Sequence, residues 1–144
     1  MLKYTVQFRG ANMKKDVTVF YESVRISGGE EERFSETTDG VLNEKDGEIY
    51  ITYKDSLGTA VLKIKGREIS AIRFGENANT FKFKSGRLYA CPYKTPYGVF
   101  ETIIKTHTAV CEETELGGVA SLAYTLDFAG EKSEHTFKLI YKIK

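Results

Sequence analysis

The sequence predicts an all-β protein, a closed antiparallel and largely up-and-down barrel of about 8–10 strands. Short runs that alternate apolar and polar residues fill most of the 144-residue chain. Turn signals rich in Gly interrupt these runs about every 8 to 14 residues, and no segment keeps a helical period. Closing such a sheet buries its apolar face and removes both exposed edges. A two-sheet sandwich is the alternative, but the mostly short links between strands favour the barrel.

The N-terminal part of the chain predicts three strands, at residues 3–9, 16–26 and 31–43, the first of which alternates in polarity. Gly28-Gly29 ends the second strand, and Gly40 is expected to mark a bulge within the third. Register is least well specified in this part of the chain.

Shorter strands follow the Asp46-Gly47 pair, which favours a two-residue hairpin turn. In the first of them, Ile49, Ile51 and Tyr53 share one face. Pro92 has no backbone N–H, so its strand must be an edge, contain a bulge or end there. The predicted strands of this part are residues 49–54, 61–65, 68–74, 80–84 and 87–94.

Three long strands close the sequence, at residues 99–111, 118–128 and 133–143. In the first, alternation places the even-numbered residues from Phe100 to Val110 on the apolar face, including Thr102, Thr106 and Thr108. In the second and third, the same rule places Tyr124 and then His135, Phe137 and Tyr141 on the apolar face.

Composition is that of a globular domain, with 41% hydrophobic and 28% charged residues and a net charge of +1. We expect one barrel domain over residues 1–144, with residues 1–15 as an N-terminal strand or extension. Cys91 and Cys111 match no zinc spacing and indicate reduced thiols. No signal peptide or membrane-spanning run is visible, so we expect a cytoplasmic protein with no membrane partner.

A resemblance to a known family rests on three segments. These are Leu62 to Gly75, which ends Ala71-Ile72-Arg73-Phe74-Gly75; the turn Thr95-Pro96-Tyr97-Gly98; and Leu122-Ala123-Tyr124-Thr125-Leu126 followed by Gly130. From about Val17 to the C-terminus the chain resembles the YwiB-like family of uncharacterised bacterial proteins. The resemblance implies a calycin-like barrel, related in shape to lipocalins, and no established activity. The chain has no Trp and therefore lacks the lipocalin motif of Gly followed two residues later by Trp.

Catalysis is not expected. The chain has two histidines, His107 on a predicted outer face and His135 on an inner one. Neither falls in a recognisable pattern of nucleophile, base and orienting group, and no Gly-rich phosphate loop opens a helix. We therefore predict no catalytic residue, no metal site and no cofactor.

Binding of a small apolar or mixed ligand inside the barrel is the leading hypothesis, because a few polar groups on apolar walls are typical of ligand pockets. The alternative is an accessory module that binds a partner and has a filled barrel. The candidate ligand-binding residues are Tyr53, Tyr124, His135, Tyr141 and Arg73.

Arg73 can face either way. If Ile69 and Ala71 point inward, Arg73 also points inward and needs an anionic partner or ligand. If Ser70 and Ile72 point inward, Arg73 lies outside. The sequence slightly favours the second arrangement.

Charge is unevenly distributed. Residues 28–56 carry nine acidic and three basic residues, whereas residues 63–94 carry eight basic and two acidic ones. The lysines at 63, 65, 82 and 84 should form an outer basic wall, which predicts a protein partner or self-association. Single-stranded nucleic acid would need aromatic residues among them, with Tyr89 and Tyr93 available, and is a less favoured partner.

Overall fold

The computed structural model describes residues 13–75 and 78–144, and the predicted strand at residues 3–9 lies outside them. The described chain is all-β and forms one ten-stranded antiparallel sheet, as predicted. Within these two ranges, no helix could span a membrane. The strands are β1 (Met13–Ser27), β2 (Glu30–Lys45), β3 (Glu48–Asp55), β4 (Gly58–Lys65), β5 (Glu68–Arg73), β6 (Asn79–Phe83), β7 (Leu88–Thr95), β8 (Gly98–Thr114), β9 (Gly117–Phe128) and β10 (Glu131–Ile143).

The sheet is an up-and-down meander that nearly closes into a barrel. Its order is β6-β5-β4-β3-β2-β1-β10-β9-β8-β7, so every ladder except β1–β10 joins strands that are consecutive in the sequence. β1 pairs with β10 from Val17–Ile143 to Ile26–Glu134. The two ends of the sheet, β6 and β7, are also consecutive, and the barrel closes at the seam between them.

Side chains close most of this seam. The Lys94 backbone N–H donates to Asn79 Oδ1 across it at 3.2 Å, and the rings of Phe81 and Tyr93 lie 6.2 Å apart. Pro92 lies in β7, a terminal strand of the sheet, so the structure selects the edge position from the three alternatives that the sequence left open. Because proline has no N–H, β7 cannot offer a complete row of donors to β6.

Strand alternation places one apolar face inside the barrel and the charged face outside. Cross-strand rows such as Ile49–Ile64–Ile69–Phe83 run across β3 to β6. These residues are almost completely buried, and the opposite wall supplies Leu122 and Leu139. The inner faces predicted for β3, β9 and β10 are therefore confirmed.

The inner face predicted for β8 is correct only in its first half. Thr102, Ile104 and Thr106 are buried, but the register with β9 shifts between Thr106 and Thr108. The shift is a β-bulge with His107 as the extra residue, and one extra residue reverses the alternation that follows. Beyond the bulge Ala109 is buried, whereas Thr108 and Val110, predicted to face inward, are exposed.

Gly40 does not mark a bulge, because the β1–β2 register runs without interruption through its position. It is needed instead for close packing. A Cβ atom at Gly40 would lie 2.7 Å from Thr52 O and 2.8 Å from Val19 Cγ2. In the Asp46-Gly47 turn both residues have positive φ, as the predicted hairpin requires.

We predict that Gly40→Ala destabilises the barrel by about 1–3 kcal/mol, because the added methyl group overlaps the β3 backbone and the Val19 side chain. Chemical denaturation of the two proteins measures this difference. Thr37→Ala, at an exposed position of the same strand, is the matched control and should change stability by less than about 0.5 kcal/mol. Equal effects of the two substitutions would contradict the packing role of Gly40.

Candidate functional site

The inside of the barrel is hollow towards one end. The turns at 28–29, 56–57, 96–97 and 129–130 lie at this end, since each follows an odd-numbered strand. A cavity of about 490 Å³ occupies it, with β3 to β7 on one side and β9 and β10 on the other. The cavity is lined by Tyr53, Leu57, Ala60, Val61, Leu62, Ala71, Ile72, Arg73, Asn79, Phe81, Phe83, Tyr93, Leu122, Tyr124 and Phe137.

Arg73 faces the cavity. It belongs to the cross-strand row Tyr53–Ala60–Arg73–Asn79, and Ile69, four residues before it in β5, is buried. The outward orientation that the sequence slightly favoured is therefore wrong. The ambiguity arose because β5 has apolar residues on both faces, so alternation alone does not choose between them.

Asp55 is the partner that an inward Arg73 requires. The guanidinium donates two hydrogen bonds to this carboxylate, Nη1 to Oδ1 at 2.8 Å and Nη2 to Oδ2 at 2.6 Å. The Leu57 backbone N–H also donates to Asp55 Oδ1, at 2.9 Å. The Arg73 hydrogen bonds lower the pKa of Asp55, and those to Asp55 raise the pKa of Arg73, so both groups stay charged at neutral pH.

Two of the predicted site residues, Tyr53 and Tyr124, bring phenol groups to the lining. Burial raises the pKa of each to about 12, with the Asp55 charge adding to the effect at Tyr53. Both phenols are therefore neutral at physiological pH and able to donate and to accept a hydrogen bond. They give the cavity polar groups without adding charge.

His135 lies beside the cavity and contacts its lining. Its ring stacks on that of Tyr124, with centroids 4.9 Å apart and planes 4° from parallel. Its Nε2 lies 2.8 Å from Ser133 Oγ. Burial, together with the nearby Arg25 charge, lowers the pKa of His135, so the neutral form is favoured in the folded protein.

Tyr141 is the one candidate that the structure does not bring to the cavity. It points inward as predicted, but it is 2% exposed and packs at the opposite end of the barrel. Its ring covers Gly118, its partner in the β9–β10 register. A Cβ atom at Gly118 would lie 2.6 Å from Cζ of that ring. Tyr141 is therefore a packing residue.

Sequence reasoning did not assign three residues of the cavity lining to a site, namely Phe81, Tyr93 and Phe137, nor did it identify Asp55 as the partner of Arg73. Asp55 follows Tyr53 by two residues and so shares its face, which is the one signal that could have indicated it. In the sequence, the two phenylalanines indicate only an apolar face. Tyr93 was placed near the basic wall, but its ring packs inside, 5.6 Å from that of Phe128.

The outer basic wall exists but is partly neutralised. Lys63 Nζ lies 3.2 Å from Glu48 Oε1 and 5.7 Å from the centre of the Tyr50 ring. Tyr89 does not stand among the lysines, since it packs against the core and its hydroxyl donates to Glu68 Oε2 at 2.9 Å. The aromatic surface that single-stranded nucleic acid would need is therefore missing at the two positions proposed for it.

A polar cluster lies on the outer face at the β8 bulge. Thr125 Oγ1 lies 2.8 Å from His107 Nε2 and 2.9 Å from both carboxylate oxygens of Glu134. The hydroxyl thus sits between the two other groups, and Glu134 lies 3.7 Å from the same ring nitrogen. This differs from a nucleophile–base–orienter chain, in which the carboxylate holds the other nitrogen of the histidine. Over the described ranges no group of three or more His, Cys, Asp or Glu could hold a metal ion.

We predict that His135 makes the protein less stable as the pH falls below about 6.5, its usual pKa. The lowered pKa means that the unfolded chain binds the proton first, so stability is present above this pH and is lost as the pH falls through the folded-state value. Melting temperatures measured from pH 7.5 to 5.5 should fall less in His135→Gln than in the parent protein.

Thr136→Ala, at an exposed position next to His135 in β10, is the matched control for this experiment, because it removes no group that titrates between pH 5.5 and 7.5. It should leave the pH dependence of the melting temperature unchanged. Parallel curves for the His135 variant and the parent would refute the assignment.

Comparisons with known proteins agree with this architecture. A solved structure titled "Crystal structure of ywiB protein from Bacillus subtilis" superposes with a TM-score of 0.80. The alignment covers 91% of this chain and 93% of that one at 23% sequence identity, which shows a shared fold. No curated protein matches the sequence.

The sequence also matches a family over residues 19–139, which include most of β1 to β10 and the whole cavity lining. The description of that family states no activity. This chain is a member of the family described as Domain of unknown function (DUF1934).

Proposed function

We propose that this protein binds a small apolar or mixed ligand inside its barrel. The observation that carries the proposal is the cavity of about 490 Å³. This volume lies in the range of about 300–1,000 Å³ that is usual for small-molecule sites. A small barrel is either filled by side chains or leaves room for one small ligand, and this volume corresponds to the second case.

The lining supports a ligand with a large apolar part. The aromatic rings of Phe81, Phe83, Tyr93 and Phe137 and the aliphatic side chain of Leu122 supply most of the wall. A small number of polar groups, Arg73 and the two phenols among them, could fix the orientation of a ligand. The lining therefore favours a mixed molecule over a purely polar metabolite.

The alternative of a partner-binding module is favoured by a different observation. Leu88 is 65% exposed on the outer side of β7, and Ile103 is 40% exposed on β8, opposite the exposed Ala90. Apolar side chains grouped on an outer face are typical of interaction sites. This function does not need a filled barrel and could coexist with an internal ligand.

A cytoplasmic location and the absence of catalysis stay predictions of the sequence.

A thermal-shift screen against a panel of fatty acids, fatty amides, alcohols and aromatic metabolites tests the proposal. A ligand present at about 100 times its dissociation constant should stabilise the protein by about 2.7 kcal/mol. For a domain of this size that raises the melting temperature by roughly 5 to 10 °C. A panel that leaves the melting temperature unchanged would count against internal binding.

Filling the cavity should abolish the effect of any ligand found in this way. Ala71 lines the cavity on β5, so Ala71→Leu places three more carbon atoms in the space. We expect the variant to fold and to lose the ligand-induced rise in melting temperature. Ala90→Leu adds the same atoms at an exposed position of β7 and should keep the full rise. Loss of the rise in both variants, or in neither, would place the ligand elsewhere.

A further inference from the structure

The charge balance of the cavity wall says more about the ligand than its volume does. Arg73 is the one charged residue among those that line the cavity in the described part of the chain. Its partner Asp55 does not line the cavity. The pair is largely buried, with 25% and 10% of the two side chains exposed.

Arg73 keeps hydrogen-bonding capacity after it has paired with Asp55. A guanidinium has five N–H donors, and the carboxylate uses two of them. Asp55 leaves the other three N–H donors unused. A carbonyl or hydroxyl oxygen on a ligand can accept from these without separating the pair.

A carboxylate in the same place would meet an unfavourable balance of charge. The Arg73 cation is already matched by Asp55, so a ligand anion would add a second carboxylate around one guanidinium. The rest of the lining offers neutral groups, namely phenols, the Asn79 amide and apolar side chains. Such groups do not repay the cost of taking a full charge out of water.

An ammonium group would be disfavoured as well, because no carboxylate among the described residues lines the cavity and Arg73 would repel it. The cavity wall thus offers strong hydrogen-bond donors, but the Arg73–Asp55 pair leaves no net charge to balance that of a ligand ion. Asp55 is well fixed in this role, since the Leu57 N–H also bonds it.

We propose that the cavity selects an uncharged ligand that has an apolar body and a hydrogen-bond acceptor, such as an amide or an alcohol, and discriminates against carboxylates because Asp55 already neutralises Arg73. This proposal rests on the proposed function. The new proposal also makes that function more specific, since it identifies Arg73 as the anchoring donor and Asp55 as the residue that determines charge selectivity.

Decanamide, decanoate and decylamine form a test series with one ten-carbon chain and three charge states at neutral pH. Calorimetric titration of the full-length protein should show decanamide binding at least about tenfold more tightly than either ion. Tighter binding of decanoate would overturn the charge-selectivity proposal and leave internal binding intact. No binding of this series, together with no response in the wider panel, would overturn both.

Asp55→Asn provides the sharper comparison, because it keeps an oxygen able to accept from Leu57 while leaving the Arg73 charge unmatched. Decanoate should then gain about tenfold or more in affinity, and decanamide should change by less than about threefold. Asp39→Asn, which removes the same charge from an exposed carboxylate paired with Lys144, is the control and should change neither. An unchanged ratio of decanoate to decanamide affinity in a folded Asp55→Asn protein would overturn the role of Asp55.

Arg73→Gln is the complementary variant. It gives a separate test if the Asp55→Asn protein fails to fold. It leaves the Asp55 carboxylate as the charge nearest the cavity, so decylamine should gain affinity by about tenfold. A preference for decanoate in this variant would contradict the proposed anchoring. The comparison of the three probes on the unmodified protein needs no variant at all.

Discussion

The inner face of a single amphipathic sheet must be covered on all sides, and the pairing of β1 with β10 is what makes this geometrically achievable. This ladder joins strands from opposite ends of the described chain and links the meander β1 to β6 to the meander β7 to β10. Each meander alone would expose its apolar face to water. With the ladder in place the two walls cover each other, and a seam between β6 and β7 is all that is left to close.

Small residues serve two different purposes inside the barrel. Gly118 lies directly under a large side chain, that of Tyr141, so the strands and rings approach closely there. At the opposite end Ala60 and Ala71 line the cavity, and Arg73 is held at the wall by Asp55. Small residues therefore tighten the packing around Tyr141 and widen the interior around Arg73.

Most of the fold could be predicted, since alternation along Ile49–Tyr53 or His135–Tyr141 states directly which side chains face the core. The prediction was wrong where alternation is interrupted or ambiguous. The extra residue at His107 reverses the remainder of β8, and no local signal announces it. Of the candidate ligand-binding residues, Tyr53, Tyr124 and Arg73 line the cavity and His135 stacks beside it, whereas Tyr141 packs at the far end. Alternation indicates which face of a strand a residue lies on, but it does not indicate how far along the barrel axis the residue lies.

The sequence by itself determined the all-β class, the strand order and most inner faces, because hydrophobic alternation and turn chemistry are local properties of the chain. Only the tertiary structure decided that Arg73 points inward and that Asp55, 18 residues away in the sequence, neutralises it. Only the tertiary structure could show that the interior contains a cavity of about 490 Å³. Pairing of distant charges and the volume enclosed by opposite walls depend on how separate strands are placed in space, which no single segment specifies.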